Sequence, residues 1–163
     1  MAKFSTQLRR EMLSGGGLLA ALNGGKLRIF CAASDPANPV ATAVDAPASA
    51  DDAETGTLML ELTGGGDGVT GLRLEADGVV VKKDSSQDWL CAGALHDGPV
   101  HYWRLVGPSD TGGQSQSEAR VQGTVGIARG DMLASSLTVT QGAPWALNFF
   151  DIEAPAESGP LSP

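Results

Sequence analysis

Three consecutive segments in the second half of the chain alternate apolar and polar residues with a period of two. They cover residues 98–107, 119–130 and 136–152, and Gly, Pro or Asp residues punctuate them. This combination is typical of antiparallel strands joined by short loops, because successive side chains of a strand point to opposite faces of its sheet. The segments therefore favour a mainly β fold, and no set of catalytic residues accompanies them.

Length and composition agree with one loop-rich β domain. The chain has 163 residues, which suits a single domain with its own core. It holds 22 Gly and 9 Pro, and 5% of it is aromatic, so we expect much of it to form turns and loops. We predict an antiparallel, jelly-roll-like β-sandwich over residues 26–153 that contains an extended loop at 34–55. A short helical arm precedes it at 1–25, and a Pro-rich tail follows at 154–163.

The distribution of charge disfavours nucleic acid as a partner. The net charge is −8, and the first 30 residues hold five Lys and Arg against the single Glu11, a balance of +4 that leaves −12 for the remainder. An acidic body repels phosphates, whereas the basic arm is either a solvated helix face or a surface for an acidic protein.

Neither a membrane span nor a secretory signal is evident in the sequence. No run approaches the roughly 20 apolar residues that a membrane span needs. The first ten residues also lack the apolar segment of a secretory signal. We therefore expect a protein that is made in the cytoplasm and has no membrane partner.

Cysteine and histidine usage gives no sign of a catalytic or metal site. Cys31 and Cys91 lie in apolar, strand-like contexts, and in a reducing cytoplasm we expect two buried thiols rather than a disulfide. His96 and His101 flank a turn at 97–99 and are expected at the surface. No zinc pattern, nucleophile elbow or phosphate-binding glycine loop is present, so we predict no enzyme activity, cofactor or metal.

The N-terminal arm has the pattern of a short amphipathic helix. Ser5 can cap it, and Leu8, Met12 and Leu13 form one apolar stripe. The three glycines at 15–17 each cost roughly 1 kcal/mol relative to Ala in a helix, so we expect an end or a hinge there, with a further helical turn at 18–22. So short a helix needs a surface to cover its stripe, on its own domain or on a neighbour.

The interior segment at 34–55 is the least regular part of the sequence. Ala, Pro, Asp and Ser dominate it, and a loop of this length is usually functional or ordered by a partner. Its acidic end, with Asp51 and Asp52, lacks the spacing of a calcium loop and is expected to be an exposed turn. Strands are predicted at 26–33, 57–63, 79–83 and 89–95, with a hairpin turn at Asp77 and Gly78.

Aromatic residues near the C-terminal strands have two interpretations. Five of them could form a sugar-binding platform: Tyr102, Trp103, Trp145, Phe149 and Phe150. On a strand, however, Trp145, Leu147 and Phe149 share one face, which favours a sandwich core. Arg104, within HYWRLV, is expected either to extend from a sheet face or to form an ion pair that fixes its strand.

Several of these segments together resemble a family of small structural proteins of tailed bacteriophages. The matching residues are 27–30 (LRIF), 55–62 (TGTLMLEL), 102–109 (YWRLVGPS) and 123–126 (GTVG), in the same order along the chain. The resemblance spans most of residues 5–152. The sequence departs from the family in Val106-Gly107-Pro108, where an acidic turn is usual, and in its Pro-rich tail.

The resemblance implies a virion component on the capsid surface, made in the host cytoplasm. It implies a head decoration or cement protein that binds the major capsid protein and self-associates on the capsid as a trimer or dimer. A tail or head-to-tail joining protein is the closer alternative, and a carbohydrate-binding β-sandwich the more distant one. The residues proposed to contact the partner are Phe4, Leu8, Arg9, Arg10, Met12, Leu13, Leu18, Leu19, Asp51 and Asp52.

Overall fold

The computed structural model describes residues 1–153, and this part of the chain is mainly β with two short helices near its start. The predicted tail at 154–163 lies outside the described residues. The elements are β1 (Lys3–Phe4), α1 (Thr6–Ser14), α2 (Gly17–Leu22), β2 (Lys26–Cys31), β3 (Thr57–Gly64), β4 (Leu74–Asp77), β5 (Val80–Lys83), β6 (Trp89–Cys91), β7 (Gly98–Pro99), β8 (Tyr102–Val106), β9 (Arg120–Gly126), β10 (Met132–Leu133), β11 (Thr138–Val139), β12 (Trp145–Leu147) and β13 (Asp151–Glu153).

The largest sheet gives the domain its frame. Its strands run in the order β1-β9-β8-β2-β3-β6-β12, all antiparallel, and β10 joins the outer side of β9 in parallel. A smaller sheet has the order β13-β5-β4, and β7 pairs with β11. The antiparallel, sandwich-like architecture predicted from the alternating segments is confirmed.

The hydrophobic core lies on one face of the main sheet. Leu27, Ile29, Trp103, Leu105 and Val121 alternate along three neighbouring strands and are buried together. The small sheet and the two helices cover this face, and their buried side chains join the same cluster: Leu8, Leu22, Leu74, Phe150 and Ile152. Period-two alternation thus places one apolar face per strand inside the domain.

Local signals in the arm are confirmed. The Ser5 side chain caps α1 by accepting a hydrogen bond from the Leu8 backbone N–H at 3.2 Å. The helix ends at Gly15, whose φ of 90° is a left-handed conformation that favours glycine. The end of α2 is tied to the body, because the Leu74 N–H donates to the Asn23 side chain at 2.9 Å and Leu72 bonds the backbone beside it.

The predicted strand at 136–152 is wrong as a single element. It divides into β11, β12 and β13, because the chain leaves the main sheet after Leu147 and enters the small sheet at Asp151. Phe149 therefore points outward and is 72% exposed, whereas Phe150 is buried and meets the Trp103 ring edge-on at 5.4 Å. The expectation that Phe149 shares the core face of Trp145 fails for this reason.

Two further expectations about local structure are confirmed. Asp77 and Gly78 form the turn between β4 and β5, where Gly78 has a φ of 62°. Cys31 and Cys91 are both buried and free. The strand predicted at 89–95 is shorter than expected, since β6 ends at Cys91.

Candidate protein-interaction groove

The second face of the main sheet carries a layer of buried arginines. Arg104 and Arg120 are fully buried, and the strand register places them beside Gln122 on the face opposite the core. Arg120 forms a bidentate pair with the buried Asp110 carboxylate, with Nη2 2.9 Å from Oδ1. Arg28, on β2, extends the layer through its ion pair with Glu54 at 2.9 Å. Charged groups buried in this way need partners for every donor.

The arginine layer holds the predicted loop at 34–55 against the sheet. Arg104 Nη1 donates to the Asp52 carbonyl at 2.9 Å, and Arg120 Nη1 donates to the same carbonyl at 3.2 Å. Gln122 Nε2 donates to the Pro47 carbonyl at 2.8 Å. The loop is thus fixed by its own domain through backbone carbonyls, which accept guanidinium and amide donors that the sheet would otherwise leave unsatisfied.

Both sequence-based interpretations of Arg104 are wrong. Its side chain is fully buried, and it has no carboxylate partner among the described residues. Its Nε donates instead to the Gln122 side-chain carbonyl at 3.2 Å. Burial, followed by the neighbouring charge of Arg120, lowers the pKa of Arg104. Arg104 is therefore a hydrogen-bond donor between the sheet and the loop.

The acidic turn joins the loop to the arm. Asp51 is half-buried, and its carboxylate accepts hydrogen bonds from the Thr6 backbone N–H at 2.7 Å and from the Thr6 hydroxyl at 2.5 Å. Burial raises the pKa of Asp51, but the Thr6 hydrogen bonds and the charge of Arg9 outweigh it, so the net pKa is lowered. The carboxylate therefore stabilises the first turn of α1, where negative charge is favoured.

We expect Asp51→Asn to loosen the arm. The variant should lose about 0.3–1 kcal/mol of the free energy of unfolding at neutral pH, the usual contribution of a negative charge near a helix N-terminus. Because the folded pKa of Asp51 is lowered, its contribution is present above the unfolded value of about 3.9 and disappears as the pH falls through the folded value. Urea unfolding should thus show a smaller difference between variant and wild type at pH 3 than at pH 7.

Asp45→Asn is the control for this experiment. Asp45 is exposed in the same loop, and its side chain makes no hydrogen bond to a described residue. It should unfold like the wild type at both pH values. If Asp51→Asn lowers the free energy of unfolding equally at pH 3 and pH 7, the carboxylate does not stabilise the first turn of α1 through its charge.

A groove with a volume of about 770 Å³ runs along the outer edge of β1. It is lined by residues 1–4, Arg9, residues 48–50, Asp131 and β13. Trp103 also lines the groove, and its ring packs closely against Gly123: a Cβ on that glycine would be 2.7 Å from the indole. We refer to this cleft as the arm groove.

A smaller cleft of about 230 Å³ continues the arm groove and shares three of its residues, Phe4, Ile152 and Glu153. It is lined by Met12 and Leu18 of the helices, by Val79 in the turn between β4 and β5, and by Val81 of β5. The two clefts are lined by both apolar and charged residues of the arm and the small sheet, and Val79 is 69% exposed.

The residues predicted to contact a partner divide into three groups. Arg9, Arg10 and Leu13 are exposed, with Leu13 at 90%. Four apolar residues are partly buried against the core: Phe4, Met12, Leu18 and Leu19. Leu8 is fully buried, and Asp51 and Asp52 are half-buried in internal hydrogen bonds, so these three have internal structural roles. The prediction of an exposed acidic turn is corrected accordingly.

The remaining sequence candidates do not come together as a site. His96 and His101 are exposed, as predicted, and His101 Nδ1 accepts from the Ala32 N–H at 3.0 Å. Tyr102 and Trp103 are each 2% exposed, which excludes them from a sugar-binding platform. Among residues 1–153, no three His, Cys, Asp or Glu side chains are placed to hold a metal ion. None of the helices in this part of the chain is long and apolar enough to span a membrane.

Comparison with protein-family models, curated proteins and solved structures found no match for this chain.

Proposed function

We propose that this chain is a structural protein of a tailed-phage virion, a capsid decoration protein that binds the major capsid protein and stabilises the head. The observation that carries the proposal is the exposed surface of the arm, formed by Arg9, Arg10 and Leu13, which is basic and partly apolar on an otherwise acidic chain. The long loop of the body is fixed internally by buried arginines. The resemblance of the sequence to small structural proteins of tailed bacteriophages supports the same function.

The mechanism is binding to an assembled lattice. A subunit that binds the expanded shell and not its unassembled parts stabilises that shell by a free energy that grows with the logarithm of its affinity and of its concentration. Because many copies bind across the lattice, their modest individual contacts combine through avidity. A stiff body suits this task, because a connection between neighbouring capsid subunits transmits load only if it does not deform. The arginine layer supplies that stiffness by bonding sheet and loop together at several carbonyls.

Binding of the purified protein to shells of the major capsid protein from the encoding phage tests this function. We expect the protein to sediment with the shells, and Leu13→Asp to reduce its affinity at least tenfold. Leu13 is 90% exposed, so a charge there leaves the fold intact while it opposes burial in an interface.

Val69→Asp is the matched control, because Val69 is 83% exposed but lies in the turn after β3 and not in the arm. It should bind the shells like the wild type. Equal binding by Leu13→Asp and the wild type would contradict the role of the arm, and failure of the wild type to bind would contradict the function.

A further inference from the structure

The smaller cleft leaves apolar side chains in contact with water. Apart from Gly17 and Glu153, all of its lining residues are apolar: Phe4, Met12, Leu18, Val79, Val81 and Ile152. Of these six, only Ile152 is buried, and Val79 is 69% exposed. Removal of apolar surface from water is favourable. The volume of about 230 Å³ is smaller than the roughly 300–1,000 Å³ of pockets for small molecules, so it suits one or two further side chains.

The chain leaves the described part of the structure at this cleft. β13 is antiparallel to β5, and its last residue, Glu153, lies opposite Val80. Beyond Glu153 the chain therefore runs towards Val79, and both of these residues line the smaller cleft. Ten residues follow, 154–163. This segment starts beside the exposed apolar surface, so only a short loop has to close for it to cover that surface, and the entropic cost of closure is small.

The sequence of the segment, APAESGPLSP, is suited to covering a small apolar cleft. Leu161 is its one large apolar residue, and Gly159-Pro160 is a dipeptide that marks turns. A turn at this position directs Leu161 back towards the cleft from which the segment starts. Three prolines restrict the backbone of the unbound segment, so less conformational entropy is lost when it binds. Glu157, its only charged side chain, can remain in water while Leu161 is buried.

Covalent connection favours the chain's own segment over a separate molecule. Leu161 follows Glu153 by eight residues, which span at most about 28 Å when extended. A short connection of this kind gives an effective concentration of about millimolar at the cleft. A segment from a second copy reaches the same concentration only in a solution that contains about millimolar protein. One leucine side chain, which binds weakly as a free group, is thus held beside its site by the connection.

We propose that the smaller cleft is the docking site of the chain's own C-terminal segment, residues 154–163, and that Leu161 is the side chain that enters it. Leu161 packs between Leu18 of α2 and Val79 beside the small sheet, and it removes both from water. The docked segment connects the helical arm to the small sheet across the cleft between them. This inference goes beyond the proposed function and does not rest on it, because it concerns contacts within one chain.

Paramagnetic broadening in the full chain tests the docking. A nitroxide is attached to the segment through Ser158→Cys, and both native thiols are buried, so the introduced cysteine is labelled selectively. We expect the nitroxide to broaden the methyl signals of Leu18, on the far side of the cleft from the attachment point, as well as those of Val79. The methyl signals of Val40, which is 93% exposed and lines neither cleft, should remain sharp.

Substitution of Leu161 separates docking from simple proximity. Because the segment is attached at Glu153, the nitroxide broadens nearby signals to some degree even in an undocked segment. Leu161→Ser should lower the ratio of docked to undocked segment by about tenfold, since it removes most of the apolar area that docking buries, and the broadening at Leu18 should decrease accordingly. Leu161→Met keeps the apolar area and should retain the broadening.

Substitution of Val79 tests the other side of the contact. Val79 is 69% exposed, so Val79→Asp leaves the fold intact while it opposes burial beneath the segment. It should reduce the broadening at Leu18 as Leu161→Ser does. Val69→Asp is the matched control, because Val69 is also an exposed valine in a turn but lines neither cleft, and it should leave the broadening unchanged.

A mixed sample identifies the chain that supplies the segment. It combines isotope-labelled chains that carry no nitroxide with nitroxide-labelled chains that carry no isotope, and we expect no broadening at Leu18. Broadening in this mixture as strong as within one chain would overturn the proposal, because the occupant would then be a second copy. So would broadening that is the same in Leu161→Ser as in the chain with Leu161, or that Val79→Asp does not reduce.

Discussion

Arg120→Ala is expected to lower the free energy of unfolding by about 3–5 kcal/mol, because it leaves the Asp110 carboxylate buried and unpaired. Arg120 and Asp110 are 1% and 0% exposed at their side chains. The change also removes the donors to the carbonyls of Asp52 and Gly113. Urea unfolding measures the loss, and limited proteolysis should show faster cleavage within residues 34–55.

Arg73→Ala is the matched control for the arginine layer. Arg73 pairs with Asp84 at 3.9 Å and its side chain is 55% exposed, so its removal should cost less than about 1 kcal/mol. If Arg120→Ala also lowers the free energy of unfolding by less than about 1 kcal/mol and leaves proteolysis of the loop unchanged, buried arginines do not fix the loop.

Leu8→Ala is expected to destabilise the whole domain by about 2–4 kcal/mol, as deletion of a fully buried leucine side chain usually does. The stripe predicted on α1 is covered by its own domain at Leu8, while Leu13, one and a half turns further on, is 90% exposed. Leu13→Ala should therefore unfold within about 0.5 kcal/mol of the wild type. Thermal or urea unfolding compares the two variants, which carry the same Leu→Ala change at a buried and at an exposed position.

The same pair separates the roles of the arm. If Leu8→Ala unfolds like the wild type, α1 does not depend on the core contact and the placement of the arm is wrong. A substantial loss of stability in Leu13→Ala would show that this side chain is covered by the domain and does not belong to the exposed surface.

The fold class could be predicted from the sequence because its signals are local. Alternation in β8 and β9, the Asp77-Gly78 turn, the Ser5 cap and the glycine that ends α1 each act within a few residues. Such signals need no knowledge of which strands are neighbours. Strand length was less predictable, since β12 and β13 belong to different sheets and only tertiary structure decides where the chain crosses between them.

The arginine layer could not be predicted from the sequence. Arg104 and Arg120 occupy the polar positions of alternating strands, and this pattern usually indicates a solvated face. Their burial depends on residues 47–52, which are about 50 to 75 residues distant in sequence. These residues bind through backbone carbonyls, which all residue types have, so their side-chain identities do not indicate the contact. The one available signal was the presence of arginine inside HYWRLV, a strand otherwise rich in large apolar residues.

Only part of the candidate site could be predicted from the sequence, because the rest is formed by residues that are distant from the arm in sequence. Arg9, Arg10 and Leu13 are exposed because none of residues 1–153 covers that side of α1. The other half of the arm groove comes from β13, Trp103 and residues 48–50, which are far from the arm in sequence. The cavity does not follow from periodicity, since it depends on how the two sheets meet.

Mass spectrometry of purified particles tests the proposed function most directly, by comparing complete virions with tailless, DNA-filled heads of the phage that encodes the chain. The account predicts that the protein persists in tailless heads at a copy number comparable to that of the major capsid protein. Confinement to complete virions at low copy number would assign it to the tail or its joint and contradict decoration of the head. Absence from both particles would contradict a virion role altogether.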